Sequence, residues 1–148
     1  MNSAADLEQY LHEKIPLTVA MSVHVAECTD HGLVLTAPLA PNRNHLGTAF
    51  GGSLHTLATL SGYSLLWWLL RTPEAHIVIR ESHIRYDKAV TGELRAVCRA
   101  PAAEALAAFR RDFARKGKAR LQLSAVIEQN GEAAVQFTGM FVAIGPRG

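Results

Sequence analysis

Apolar positions follow three rhythms along the chain, and each rhythm predicts a different element. Between Ala4 and Lys14 the residues Leu7, Tyr10 and Leu11 recur at steps of three and four, one face of a helix, and Pro16 ends the pattern. From Val19 the step shortens to two, with Met21, Val23 and Val25 pointing one way and Ser22 and His24 the other. Asp30-His31-Gly32 makes a turn and Leu33 to Ala37 runs back, so this pair reads as an antiparallel hairpin. Pro38 to Thr48, rich in Pro, Asn and Gly, is a loop. Beyond it the polar face nearly disappears. From Phe50 to Leu70, the residues Phe50, Leu54, Leu57, Ser61, Leu65 and Trp68 form one helical face, and Leu60, Trp67 and Leu70 widen it. A helix with so little polar surface belongs where other elements surround it. Thr48 offers a capping hydroxyl at its start and Pro73 closes its end.

The remainder is mostly strand. Ala75 to Ala89 and Glu93 to Ala100 are joined near Thr91-Gly92, and the second alternates Leu94, Ala96 and Cys98 with Arg95, Val97 and Arg99. Ala102 to Arg115 returns to helical spacing through Leu106, Phe109 and Phe113, and Gly117 stops it. Leu121, Leu123, Ala125 and Ile127 then alternate with Gln122, Ser124, Val126 and Glu128. Asn130-Gly131 is a strong hairpin signal, and Ala133 to Ile144 is the returning strand. Six strand segments, one enclosed helix and two amphipathic helices predict an α+β fold, a curved antiparallel sheet wrapped round the long helix. Long edge strands invite pairing, so a dimer or larger assembly is expected. A length of 148 residues favours a single domain spanning 1–148.

Composition refines this picture. Hydrophobic residues make up 49% and charged residues 19%, an apolar excess that a core or a subunit interface would absorb. The Phe50–Leu70 stretch approaches the length of a membrane span, but its serines, glycines and threonines and His55 argue against one. Asp6 and Glu8 stand where a secretory leader would be basic and then apolar, so a soluble cytoplasmic protein is expected. Cys28 and Cys98 lie far apart and read as buried free thiols; no His or Cys spacing suggests a metal site. A net charge of +2 is too small to imply nucleic acid. Locally, however, Arg110, Arg111, Arg115, Lys116, Lys118 and Arg120 are opposed only by Asp112.

The run Asn44-His45-Leu46-Gly47-Thr48-Ala49-Phe50-Gly51-Gly52-Ser53-Leu54, just before and into the long helix, resembles the signature of the hotdog-fold thioesterase superfamily. It is most similar to the thioesterase domain that some bacteria carry fused behind an N-acetyltransferase. Ser82 to Gly92, with Ile84, Tyr86 and Lys88-Ala89-Val90-Thr91-Gly92, also resembles the strand and turn that follow the helix there, so the likeness covers essentially the whole chain. The resemblance implies a hotdog fold, assembly as a homodimer or homotetramer, and acyl groups carried on coenzyme A or acyl carrier protein. In phenylacetyl-type thioesterases a His-Gly-Gly segment opens the helix and a carboxylate follows. Here those places fall at Phe50-Gly51-Gly52 and at about Thr59, and both catalytic-type side chains are absent.

The remaining residues suggest where chemistry would occur. Gly51 and Gly52 at a helix start bring free amide groups close to a carbonyl or developing oxyanion, or alternatively permit a tight turn and close subunit packing. Asn44 can orient water or donate to a thioester oxygen, and His45 can serve as general base; the other reading of His45 is a structural loop residue. His55 is a candidate for a direct catalytic or substrate contact; it shares a helical face with Gly51 and Thr59, and as a core-facing histidine it would take Thr59 as its hydrogen-bond partner. Ser53 and Ser61 lack a Gly-x-Ser-x-Gly elbow, so neither reads as a nucleophile. Phe50, Ser53, Thr59 and Tyr86 are expected to touch substrate, and Leu54, Leu57, Ala58 and Ser61 to line an acyl tunnel. Glu81 either supplies a carboxylate to the site or pairs with Arg80 or Arg85 at the surface. Arg115, Lys116, Lys118 and Arg120 are candidates for the phosphates of coenzyme A, for the acidic surface of acyl carrier protein, or for a solvated face.

The function expected is hydrolysis of an acyl-CoA or acyl-carrier-protein thioester, with no cofactor required beyond the coenzyme A of the substrate. Alternatives are an acyl-CoA binding or regulatory module that has lost its chemistry, and an acyl-thioester dehydratase or hydratase. The last is weakened because His45 has no evident acidic partner.

Overall fold

The computed structural model describes residues 3–146. Helix α3 (Gly51–Leu70) is the element round which the rest is arranged. From Leu60 to Leu69 every residue except Tyr63 is buried. Strands β1 (His24–Thr29), β2 (Gly32–Ala37), β3 (His76–Tyr86), β4 (Leu94–Arg99), β5 (Lys118–Gln129) and β6 (Glu132–Ile144) form one antiparallel sheet in the order β1-β2-β4-β5-β6-β3. Its inner face curls about α3, which touches every strand from β2 to β6. This is the wrapped-helix arrangement expected of a hotdog fold.

The two-residue period decides which side chains reach the helix. Leu121, Leu123, Ala125 and Ile127 of β5 are buried while Gln122 and Ser124 face outward, and β4 buries Leu94, Ala96 and Cys98. Close approach of helix to sheet is set by Gly62, where an added Cβ would lie 2.5 Å from the Phe141 ring of β6. At the β5–β6 hairpin Asn130 and Gly131 both take positive φ, 52° and 78°, as the turn requires.

Three helices complete the layer. The N-terminal helix α1 (Ala4–Lys14) buries Leu7 and Leu11 fully and stacks Tyr10 on Trp67 with ring centroids 4.7 Å apart. Helix α4 (Ala103–Lys116) buries Phe109, and its Arg110 Nη2 donates to the Leu69 carbonyl at 3.0 Å, satisfying one free acceptor at the end of α3. At the same end, Asp30 accepts from Trp68 Nε1 at 3.1 Å and Arg71 Nη2 at 2.9 Å; the Arg71 bond first, then the Trp68 bond, hold its carboxyl below the ordinary range.

Four sequence expectations change in detail. The residues after Pro16 form a single helical turn, α2 (Leu17–Ala20), and the strand begins only at His24, although Met21, Val23 and Val25 do face inward. Proline fixes φ near the helical value and favours such a turn. The residue before α3 is Phe50, with no side-chain cap; the Thr48 hydroxyl instead accepts from Asn44 Nδ2 at 2.9 Å. The helix ends at Arg71 in the left-handed conformation (φ 53°), two residues before Pro73. Finally, β3 and β4 are sequence neighbours that do not pair: β3 pairs β6, and β4 lies between β2 and β5. Cys98 is buried and Cys28 half-buried, and burial pushes their thiols up to about 12 and about 11. None of the described helices is long and apolar enough to cross a membrane.

Candidate active site

The loop that delivers the chain to α3 is held from within. Asn42 is buried, and its Nδ2 donates to the Met21 and Pro38 carbonyls while its backbone carbonyl accepts from Phe50 N at 2.7 Å. Asn44 closes the next turn. Its Oδ1 accepts from Leu46 N at 2.8 Å and Thr48 N at 3.2 Å, and its backbone amide donates to the Thr48 carbonyl at 2.7 Å. His45 and Leu46 stand at the exposed tip of that turn, and the His45 ring makes no hydrogen bond among the described residues.

At the end of this loop the first amides of α3 are left open. Leu54 N is the first to bond back into the helix, to Phe50 O at 3.0 Å, and among the described residues no side chain caps Gly51, Gly52 or Ser53. The Phe50 ring lies over Gly52, where an added Cβ would come within 2.4 Å of it, so a larger residue there would push this exposed ring aside. Gly51 is different: a Cβ there would meet only the Tyr86 ring, at an ordinary 3.7 Å. Tyr86 Oη donates to the Gly51 carbonyl at 3.3 Å. A cavity of about 300 Å³ opens here, bounded by Gly51, Leu54, Tyr86, Lys88 and Val90 among others. Of the residues expected to line an acyl tunnel, only Leu54 borders it. Leu57, Ala58 and Ser61 are fully buried against the sheet, with the Ser61 hydroxyl donating to the Ala58 carbonyl.

One turn into α3, His55 Nε2 lies 3.1 Å from Ser82 Oγ. Thr59 is not its ring partner; the Thr59 hydroxyl donates to the His55 carbonyl at 2.9 Å, as short polar residues inside helices commonly do. The register of β3 against β6 explains the Ser82 contact. Ser82, Ile84 and Tyr86 oppose Gly139, Phe137 and Val135 and share the inner face, whereas Glu81 opposite Met140 and His83 opposite Thr138 share the outer one. Glu81 therefore points away from Gly51 and His55. It forms no ion pair among the described residues, and Arg85 binds Asp87 instead. Ser82 escaped sequence reading because a serine in an alternating strand signals nothing until its helical neighbour is known.

The basic run is divided by the fold. Lys116, Lys118 and Arg120 line an outer-face groove of about 740 Å³ together with Arg80, Val78, Val142 and Asp112, whereas Arg115 is not part of its lining. Arg80 joins the cluster from the bulge between Ile79 and Glu81, a position its sequence context does not announce. Arg80 and Tyr86 are six residues apart on an extended strand, about 20 Å, and the groove and the α3 start lie on opposite faces of β3.

A six-stranded antiparallel sheet wrapped round a long central helix is the hotdog fold. The chain belongs to the family described as "Putative thioesterase (yiiD_Cterm)", whose model matches residues 4–145. Among solved structures it is similar to a protein of unknown function from Chlorobaculum tepidum TLS, with 32% identity, a TM-score of 0.87 and coverage of 97% of this chain and 94% of that one. It is also similar to one described as a "putative thioesterase" from Shewanella oneidensis, at 30% identity and TM-score 0.81, covering 95% of this chain and 96% of that one. A Pseudomonas aeruginosa protein described as a probable thioesterase shares the fold at 22% identity and TM-score 0.82, with 96% of each chain covered.

Proposed function

We propose that this protein hydrolyses an acyl thioester of coenzyme A or acyl carrier protein at the start of α3. The observation that carries the reading is the uncapped first turn: the amides of Gly51, Gly52 and Ser53 have no side-chain cap among the described residues, and Gly51 and Leu54 border a cavity of about 300 Å³. A thioester carbonyl accepting from Gly51 and Gly52 is polarised, and the same donors stabilise the oxyanion that forms when water adds to it. Phe50 and Tyr86 flank the reacting group, Ser53 supplies a third donor, and Leu54 begins the acyl path. Water gives its proton to one of the two imidazoles that bracket the helix start in sequence, His45 or His55. Asn44 acts by holding the loop that carries His45.

The reading includes self-association. Leu46 is 74%, Phe50 57% and Tyr86 49% exposed, an apolar rim round the site that a second protomer would cover. Arg80, Lys116, Lys118 and Arg120 then receive the phosphates of coenzyme A from across a subunit boundary, since their groove faces away from the helix start of its own protomer. A binding module without turnover is the second reading, supported by Phe50 and Thr59 at positions where acid and base groups would be expected.

Release of free thiol from a panel of acyl-CoA substrates tests the reading, using wild type, Gly51→Pro and Gly51→Ala. Proline suits the first helical position, and Phe50 before it is already extended (φ −66°, ψ 134°), so Gly51→Pro removes one N–H with little distortion. The expected loss in kcat is of order 10²–10³, whereas Gly51→Ala, which keeps the amide, stays near wild type. Tight acyl-CoA binding with no thiol release from any substrate would establish the binding module instead.

A further inference from the structure

The first two turns of α3, Gly51 to Ala58, carry a single ionisable side chain, His55. It is half-buried, and its Nε2 lies 3.1 Å from the Ser82 hydroxyl of β3. Tyr86, on the same face of β3, donates to the carbonyl of Gly51, exactly one helical step of four residues before His55. The edge strand thus grips the open first turn at both ends, by Tyr86 at its beginning and by Ser82 at its close. The groups facing the His55 ring are the Ser82 hydroxyl from β3 and the Phe137 ring from β6, at 6.0 Å between centroids. The Thr59 hydroxyl on its own helix is occupied by the His55 carbonyl. No carboxylate pairs with His55 among the described residues.

An imidazole bonded to a hydroxyl through one nitrogen has its ring orientation fixed and keeps the other nitrogen free to exchange a proton. We propose that His55 is the general base of thioester hydrolysis and that Ser82 is the positioning residue that holds it, so that helix and edge strand together supply the acid–base group. This rests on the thioester-hydrolase reading above and decides between its two imidazoles. His55 takes a proton from water as the water oxygen bonds to the carbonyl carbon, and the carbonyl electron pair moves onto the oxygen held by the Gly51 and Gly52 amides. Collapse of that adduct breaks the C–S bond. The departing sulfur takes the proton back from His55, leaving a carboxylic acid and a free thiol. His45, on an exposed loop tip with no partner to fix its ring among the described residues, has no such role.

The test compares wild type with His55→Gln, His45→Gln, Ser82→Ala and Ser82→Thr in the intact chain, following kcat, KM and their pH profiles and checking each fold by circular dichroism. His55→Gln is expected to lower kcat by about 10²–10⁴ with KM little changed and to abolish the ascending limb of the pH profile. His45→Gln stays near wild type. Ser82→Ala gives a smaller kcat loss and an altered pH profile, and Ser82→Thr, which restores a hydroxyl on a strand that tolerates β-branching, recovers both. The ¹⁵N ring shifts of His55 should move in Ser82→Ala independently of turnover. A His55→Gln protein with wild-type kcat overturns the proposal, as do ring shifts unchanged by Ser82→Ala, or an acyl group found on Ser82 by mass spectrometry after quenching. If Gly51→Pro inactivates while His55→Gln does not, the hydrolase reading stands and this one falls; if wild type releases no thiol from any thioester, both fall.

Discussion

Asn44 and His45 are adjacent, yet the fold commits them to different work. All the Asn44 side-chain bonds given above run to its own turn: Oδ1 accepts two backbone amides and Nδ2 donates to Thr48. Removing that side chain leaves the partly buried Thr48 amide, and the exposed Leu46 amide, without their acceptor, a cost of about 1–3 kcal/mol. Asn44→Ala is therefore expected to lower the melting temperature by roughly 2–12 °C, at about 2–4 °C per kcal/mol for a chain of this size, and to reduce activity through disorder of the helix entry. Thermal unfolding followed by circular dichroism checks it, and an unchanged midpoint would return Asn44 to the role of a substrate contact. The sequence could not separate these roles, because an asparagine that binds amides two and four residues on looks the same in one dimension as one that faces a ligand. Ser82 shows the converse: alternation places it with Ile84 and Tyr86, but only the approach of α3 gives it His55.

At the scale of elements, α3 was the most legible part of the chain because its burial is written into its composition: a helix so apolar has to be enclosed. The strand alternations of β4, β5 and β6 were legible for the same reason, since each buries one face. Pairing was not. Long-range strand partners depend on how the chain returns after α3 and α4, and nothing in residues 75–100 says that β3 will cross to the far edge beside β6. The short turn α2 was hidden because Met21, Val23 and Val25 keep their inward direction on either side of it. The packing of α3 on β6 yields a sharper expectation. Gly62→Ala would place a methyl carbon about 2.5 Å from the Phe141 ring, itself fully buried, so the ring or the helix must shift. Overpacking of this kind costs about 1–3 kcal/mol, more than the gain in helix propensity from glycine to alanine. Urea unfolding should show a lower midpoint with an unchanged slope, and a midpoint equal to or above wild type would mean that Phe141 has room to move.

For the whole molecule, the two sheet edges are treated differently. On β1 the edge is interrupted by a bulge between Val25 and Glu27, and Glu8 of α1 accepts from Val25 N at 2.8 Å, so a helix side chain occupies it. On β3 an eleven-residue edge lies open with Val78, Ile79 and Tyr86 exposed, and it carries the same Ser82 and Tyr86 that grip the first turn of α3. Association through β3 would continue the sheet, cover these apolar side chains and enclose the open helix start in one step. Assembly and activity should therefore be lost together. Ile79→Lys puts a charge on the inner face of that edge, clear of the residues assigned to the chemistry. The expected result is a shift toward monomer in light scattering coupled to chromatography, with thiol release falling in proportion to the monomer fraction, and the wild type losing specific activity on dilution over the same concentration range that dissociates it. A monomeric Ile79→Lys protein with full activity would show that one protomer completes the site alone, and that the apolar rim of Leu46, Phe50 and Tyr86 serves the acyl chain directly.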